Sequence, residues 1–217
     1  LLLLCLQKHL LFHADAVRAG EWKRKTGHEL WDKTIGILGL GRIGKEVAIR
    51  AHAFGMKIIA YDVYWDEAFA DSHNVTRAES MDDIFAVADY ISLHTNLTPE
   101  TRDLVRTETI AKMKDGVQII NCARGEIVHT ADIVTALKSG KVAGYGTDVL
   151  DEEPPPPDHP LLSLPNVVVT PHVGSRTSES VQRQANKAVQ NLINVAAGEA
   201  PLAQVNRDIP YLNGKLA

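Results

Sequence analysis

Arg124, His94, His172 and the three successive acids Asp151, Glu152 and Glu153 are the residues of this chain best suited to acid–base chemistry. A histidine titrates near neutrality and can give or take a proton in either direction of a reaction. A carboxylate beside it fixes the imidazole tautomer and stabilises the charged form. An arginine fork can hold a substrate carboxylate through two parallel hydrogen bonds and polarise the neighbouring carbonyl. Together these groups suit redox chemistry on a small hydroxy acid, where a nicotinamide carries the hydride and the protein orients the reactants and handles the proton. The acid run also reads as a solvated loop, and His94 competes with His172 as proton carrier.

A second set of residues could hold such a cofactor. Residues 34–44 read T-I-G-I-L-G-L-G-R-I-G, an apolar strand running into Gly39-x-Gly41-x-x-Gly44. A second apolar run, from Lys57 to Tyr61, ends in Asp62. Strand, glycine turn, helix, strand and terminal acid form the dinucleotide-binding fingerprint. Gly39 permits the tight turn, Gly41 lets backbone approach a pyrophosphate, and Gly44 lets the helix pack close to the sheet. The helix start offers N–H groups and partial positive charge to the phosphates. Asp62 is expected to accept from the adenosine ribose hydroxyls and to repel a 2′-phosphate, which favours NAD over NADP.

The elements that must position these groups follow a rhythm. Six candidate strands, Thr34–Leu38, Lys57–Tyr61, Tyr90–Leu93, Val117–Asn121, 142–149 and 167–170, alternate with helical patterns over 43–54, 81–86, Thr107–Lys112 and 131–138. In the first helix Ile43, Val47 and Ala51 fall one turn apart on one face. The alternation predicts an α/β fold, a Rossmann-type doubly wound parallel sheet. Ligands in such sheets bind outside the carboxyl ends of the strands. Those ends deliver Gly39, Asp62, His94, Arg124, Asp148 and His172 to one edge, beside the acid run.

The remainder of the chain bounds the reading. Its 217 residues are 45% hydrophobic and 23% charged, an ordinary globular composition. The formal net charge of −4 gives no reason to expect nucleic acid or an anionic membrane as partner. Cys5 and Cys122 cannot build a disulfide framework and are expected to be reduced, as in a cytoplasmic protein. Cys122 is expected to be a small buried residue rather than a nucleophile. No paired His or Cys spacing suggests a metal site. His9, His13, His28, His52, His73 and His159 read as surface or packing residues.

The four leucines at 1–4 are too short a run to span a membrane. The chain opens on Leu1 rather than Met, read as a start partway through a longer protein. Residues 1–20 are predicted as one helix with Leu3, Leu6, Leu10, Phe12 and Val17 on one side, an interdomain or dimerisation arm ended by Gly20. Residues 21–175 form the expected dinucleotide-binding domain, beginning with a charged connector that carries Trp22 and Trp31. Four prolines at 154–157 enforce a stiff surface loop. Residues 176–217 contain a last helix over 178–197.

Four segments carry a resemblance: G-L-G-R-I-G at 39–44, N-C-A-R-G-E-I-V at 121–128, D-V-L-D-E-E-P at 148–154 and T-P-H-V-G-S at 170–175. In that order and spacing the chain resembles the D-isomer-specific 2-hydroxyacid dehydrogenases, which include phosphoglycerate, hydroxypyruvate/glyoxylate and D-lactate dehydrogenases. The resemblance implies NAD as cofactor and a D-2-hydroxy or 2-oxo acid as substrate, with a leaning towards the phosphoglycerate/hydroxypyruvate branch. It implies a catalytic trio: Arg124 on the substrate carboxylate and carbonyl, His172 as acid/base, and Glu153 as its partner. It implies cofactor contacts from Arg42 and Ile43 at the pyrophosphate, Asp62 at the ribose, Thr95 near the adenosine side, and Cys122, Ala123 and Arg124. Asp148 and the stretch His172, Gly174 and Ser175 would hold the carboxamide.

The chain departs from those relatives in three places. His129-Thr130 stands where relatives often have Asp-Glu, and is expected to cap the following helix. His94-Thr95-Asn96 stands where they often read His-x-Pro. The first half of their substrate domain would precede Leu1, and residues 176–217 resemble the segment that returns to that truncated domain. A chain without that half can bind NAD and yet lack turnover. The same family includes NAD(H)-binding transcriptional corepressors, the alternative to an enzyme. A leucine-rich arm favours a homodimer.

Overall fold

A computed structural model describes residues 1–204 of the chain. The chain divides into two compact units, Leu1–His172 and Val173–Ala217. In the first, seven strands form one parallel sheet: β1 (Thr34–Leu38), β2 (Lys57–Tyr61), β3 (Val75–Arg77), β4 (Tyr90–Leu93), β5 (Val117–Asn121), β6 (Val142–Thr147) and β7 (Val167–Val169). The spatial order is β3-β2-β1-β4-β5-β6-β7, with every pairing parallel. The order reverses between β1 and β4, which opens the crevice where such sheets bind ligands.

The helices are α1 (Leu2–Gln7), α2 (Leu10–Arg18), α3 (Arg42–Ala53), α4 (Glu67–His73), α5 (Met81–Val87), α6 (Thr107–Lys112), α7 (Thr130–Ser139) and, in the second unit, α8 (Ser178–Ala196). Successive residues of a strand face opposite sides. Ile119 of β5 joins the core built with α5, α6 and α7, through Ile84, Phe85, Ile110, Ile133 and Leu137. Its neighbour Ile120 faces Leu2, Cys5 and Leu6 of α1. Ala48 and Ala51 of α3 and Ala70 of α4 pack on Ile35, Ile37 and Ile58. Coverage on both faces explains why β4 is buried at all four positions and β1 at its last four.

Two sequence expectations are corrected. Residues 1–20 form two helices, because His9 adopts φ 48°, a left-handed conformation that cannot continue a helix. The buried side of α1 is fixed on the sheet, whereas Leu10, Leu11, Phe12 and Val17 of α2 stay exposed. The sheet has a seventh strand, β3, reached through α4. That short edge strand buries Val75 alone, too little alternation to announce itself. The helix before it did carry terminal signals: the Asp66 side chain accepts from Phe69 N at 3.1 Å, and Asn74 closes the helix with φ 53°. β6 stops at Thr147 and β7 at Val169, short of the expected 149 and 170, and α3 begins at Arg42.

In the second unit, Thr177 caps α8 by accepting from Ser180 N at 3.1 Å. Val181, Val189 and Leu192 recur along one side of that helix. The chain turns at Gly198, φ 78°, and folds back, with Asn194 Nδ2 donating to Ala200 O at 3.2 Å. Among the described residues no helix is long and apolar enough to cross a membrane.

Candidate active site

The carboxyl end of β1 turns into α3 within four residues. Gly39 has φ 97°, and a Cβ there would lie 2.7 Å from His94 O. A Cβ on Gly44 would lie 2.0 Å from Gly39 O, so α3 can start this close only without a side chain at 44. Gly41 is the N-cap of α3, and the space its Cβ would enter is open. That opening, in front of the amides of a twelve-residue helix, is shaped for a phosphate group. Arg42 and Ile43 lie exposed beside it.

Asp62, at the end of β2, is anchored by backbone: Leu40 N donates to Oδ2 at 2.6 Å and Tyr64 N to Oδ1 at 2.8 Å. Two bonds leave part of the acceptor capacity of a carboxylate for hydroxyl donors. The same contacts lock the glycine turn to the end of β2.

A cavity of about 400 Å³ opens at this edge, lined by Ile43, His94, Thr95, Cys122, Ala123 and Arg124 among others. Thr95 Oγ1 is buried there with no hydrogen-bond partner. An orphaned hydroxyl and an open phosphate cradle are what a polar dinucleotide would satisfy, so the residues present fit one. A second cavity, about 300 Å³, lies at the opposite ends of the strands near Asp89, Lys114 and Gln118. It contains none of the motif residues and lies away from the edge where such folds bind ligands.

His94 does not suit a proton carrier. Burial lowers its pKa from 6.5 to about 4, and Nε2 is engaged by Ser92 Oγ at 2.8 Å. It stays neutral at physiological pH. Cys122 is exposed on the cavity rim, a correction to the expected burial, since its segment leaves the sheet at Asn121. Local desolvation and the Asp148 carboxylate still raise its thiol pKa, which argues against a nucleophile.

Arg124 owes its place to Asn121, a fully buried residue overlooked as a positioning group although it begins the second motif. Asn121 Nδ2 donates to Arg124 O at 2.8 Å, and Asn121 Oδ1 accepts from Ala123 N at 3.0 Å. The guanidinium donates through Nη1 to Ala123 O at 2.6 Å and is otherwise exposed. At Gly125 a Cβ would lie 2.0 Å from the Leu150 carbonyl carbon, so the arginine segment rests directly on the chain leaving β6.

Asp148 is buried and bound on three sides: its N–H donates to Asn121 O at 3.0 Å, its O accepts from His172 N at 2.9 Å, and its Oδ1 accepts from Thr170 Oγ1 at 2.5 Å. The ends of β5, β6 and β7 are thereby laced together. His172 holds φ 52°, a left-handed conformation unusual for a residue with a side chain. Its Nδ1 lies 2.8 Å from Glu153 Oε2, while Glu153 Oε1 accepts from Leu150 N at 3.0 Å. Burial pushes the Glu153 carboxyl up, but the bonds from His172 and Leu150 outweigh it and hold it below its ordinary value. An ionised Glu153 only accepts, so Nδ1 carries a proton and proton exchange falls to Nε2.

Glu153 therefore separates from its acidic neighbours: Asp151 is taken by Thr130 and His159. His129 occupies the N-cap of α7 but makes no side-chain cap; its ring pairs with Asp132 at 3.1 Å. Thr130 likewise turns to Asp151 rather than capping. Glu153, His172 and Asp148 are tied to the edge that bears Arg124 without lining the 400 Å³ cavity. Gly174 and Ser175 lie in the turn that precedes α8 in the second unit. No group of side chains among the described residues could hold a metal ion.

The chain is similar to known proteins in sequence and fold. A family model described as D-isomer specific 2-hydroxyacid dehydrogenase, NAD binding domain, matches residues 1–174. A glyoxylate reductase of Thermofilum pendens is 41% identical over 217 residues, covering 96% of this chain and 63% of its own. A D-3-phosphoglycerate dehydrogenase of Methanocaldococcus jannaschii is 42% identical over 193 residues, covering 88% of this chain and 37% of its own. The crystal structure of D-lactate dehydrogenase from Aquifex aeolicus, complexed with NAD and lactic acid, superposes with TM-score 0.83 at 33% identity, covering 91% of this chain and 64% of that one. The chain thus spans under two thirds of the length of these relatives.

Proposed function

Because the chain belongs to the D-isomer specific 2-hydroxyacid dehydrogenase family and carries its NAD-binding domain, we propose that the whole protein interconverts a D-2-hydroxy acid and its 2-oxo acid with NAD. Glyoxylate, hydroxypyruvate and the oxidation product of 3-phosphoglycerate are the candidate 2-oxo acids, since relatives named for these substrates match over most of this chain.

The cofactor, when bound, supplies or accepts the hydride. Gly39, Gly41, Arg42, Ile43 and Gly44 would hold its pyrophosphate and Asp62 its ribose, with Thr95, Cys122 and Ala123 along the crevice. Asp148, His172, Gly174 and Ser175 would hold the carboxamide end. Arg124 would grip the substrate carboxylate and polarise the carbonyl. In reduction His172 Nε2 gives its proton to the carbonyl oxygen, and in oxidation it takes one from the hydroxyl. Glu153 keeps the ring in the required tautomer and stabilises it while charged.

The His172 Nδ1–Glu153 Oε2 contact at 2.8 Å carries this reading, because it builds an oriented acid/base. A steady-state assay of the full-length protein with NADH and a panel of 2-oxo acids tests it. Turnover supports the enzyme; NAD-dependent dimerisation without turnover of any 2-oxo acid supports the corepressor type instead. We also propose a homodimer, supported by the apolar exposed face of α2, and a cytoplasmic setting, supported by two cysteines that form no disulfide.

A further inference from the structure

A second histidine–carboxylate pair shares the loop after β6 with the first. His159 Nε2 is 3.0 Å from Asp151 Oδ1, and Thr130 Oγ1 donates to Asp151 Oδ2 at 2.8 Å. The His159 side chain is only 5% exposed. Its other nitrogen, Nδ1, accepts from Leu161 N at 3.4 Å, so the ring proton sits on Nε2 and is donated to Asp151. Burial pushes the Asp151 carboxyl up, but the bonds from His159 and Thr130 outweigh it and keep it below its ordinary value. Three parts of the chain meet on one carboxylate: the start of α7, the loop leaving β6, and the turn Pro160–Ser163.

That carboxylate sits at a junction of the active edge. Two residues beyond it, Glu153 reaches His172. On its other side, the Leu150–Asp151 backbone abuts Gly125, next to Arg124, so closely that a Cβ at 125 would lie 2.3 Å from Asp151 N. The place of Asp151 thus bears on both catalytic segments, on Glu153 through two residues of chain and on Arg124 through the close approach at Gly125. A polar cluster with every member satisfied is stiff; one that loses a donor leaves an underpaired carboxylate that seeks water.

We propose that His159 is a positioning residue: through Asp151 it sets where Glu153 stands, and so holds the His172 ring in one tautomer while seating the Arg124 segment. A packing role alone would let any side chain of similar volume replace it. A positioning role requires a hydrogen-bond donor at that point. The kinetic consequence rests on the proton-carrying role proposed for His172; the structural one does not.

The test uses the intact protein labelled with ¹⁵N in its histidine rings, as His159→Leu, which fills the space, and His159→Gln, which keeps a donor. His172 ring ¹⁵N shifts, kcat and NADH affinity are measured for each. His159→Leu is expected to turn the single His172 tautomer into a mixture and to lower kcat by about ten- to a hundredfold, the scale of a slight misplacement of a catalytic group, with NADH affinity kept. His159→Gln is expected to restore most of both. Should His159→Leu fail to fold, Thr130→Val removes the other donor to Asp151 and is expected to shift the tautomer in the same sense. An unchanged His172 tautomer in a folded His159→Leu, or in Thr130→Val when the former does not fold, overturns the proposal. A shifted tautomer with unchanged kcat supports the positioning and overturns instead the role of His172 in proton transfer.

Discussion

From Gly39 to Gly44 the recognition surface is backbone; from Arg124 through Glu153 to His172 it is side chains. The first region is six consecutive residues whose shape depends on missing Cβ atoms, with contacts of 2.7 and 2.0 Å waiting for any that is added. The second is drawn from the ends of β5, β6 and β7 and is held by hydrogen bonds that Asn121 and Asp148 make and that Glu153 accepts. A region made of backbone fails by steric clash, and then loses both fold stability and cofactor. A region made of laced side chains fails by misplacement, and then loses chemistry while the cofactor still binds.

The sharpest way to separate the two is at His172. His172→Asn in the full-length protein should lower kcat by roughly 10²–10⁴-fold, the contribution of a general acid–base group, with NADH affinity retained. Near-normal turnover would remove His172 from the chemistry. His94, between the two regions, should act on stability instead. Its pKa falls from 6.5 in the unfolded chain to about 4 in the fold. The unfolded state therefore takes up the proton first, and stability should drop by about 3 kcal/mol as pH falls from 6.5 towards 4. Urea midpoints across that range should show the slope, and His94→Gln should flatten it. An equal slope in that variant would assign the effect to other groups.

Gly44→Ala strikes the backbone region. Its Cβ meets Gly39 O at 2.0 Å, so the helix must shift, at a cost of about 1–3 kcal/mol. Both the melting temperature and NADH affinity should fall together; a loss of one alone would blur the contrast between the regions. Asp62→Arg should shift preference from NADH towards NADPH in a competition assay, with a modest fall in melting temperature from the lost bonds to Leu40 N and Tyr64 N. An unaltered preference would mean that the carboxylate does not face the ribose.

How much of this was legible from residues alone follows the same division. The glycine turn and the strand ends were readable because each is local: β1, β2, β4 and β5 begin and end where their apolar runs do. The break at His9 was not, since the apolar period continues across it and no Gly or Pro marks it. β3 hid behind its three-residue length. Within the site, the family motif singled out Glu153, but residue type alone left it level with Asp151 and Glu152; what separates them physically is that Thr130 and His159 engage Asp151, contacts across twenty-one and eight positions. Asn121 and His159 act through hydrogen bonds to distant backbone and side chains, which residue type and spacing do not announce. Rejecting His94 depended on its burial, a property of packing around β4.

The most direct test is a crystal structure of the full-length protein with NADH and an unreactive 2-oxo acid analogue. Arg124 and His172 Nε2 are both expected to reach the analogue, with His172 within about 3.2 Å of its carbonyl oxygen on the side of the nicotinamide ring. An analogue that touches one of these two groups while the other faces a separate surface would contradict this.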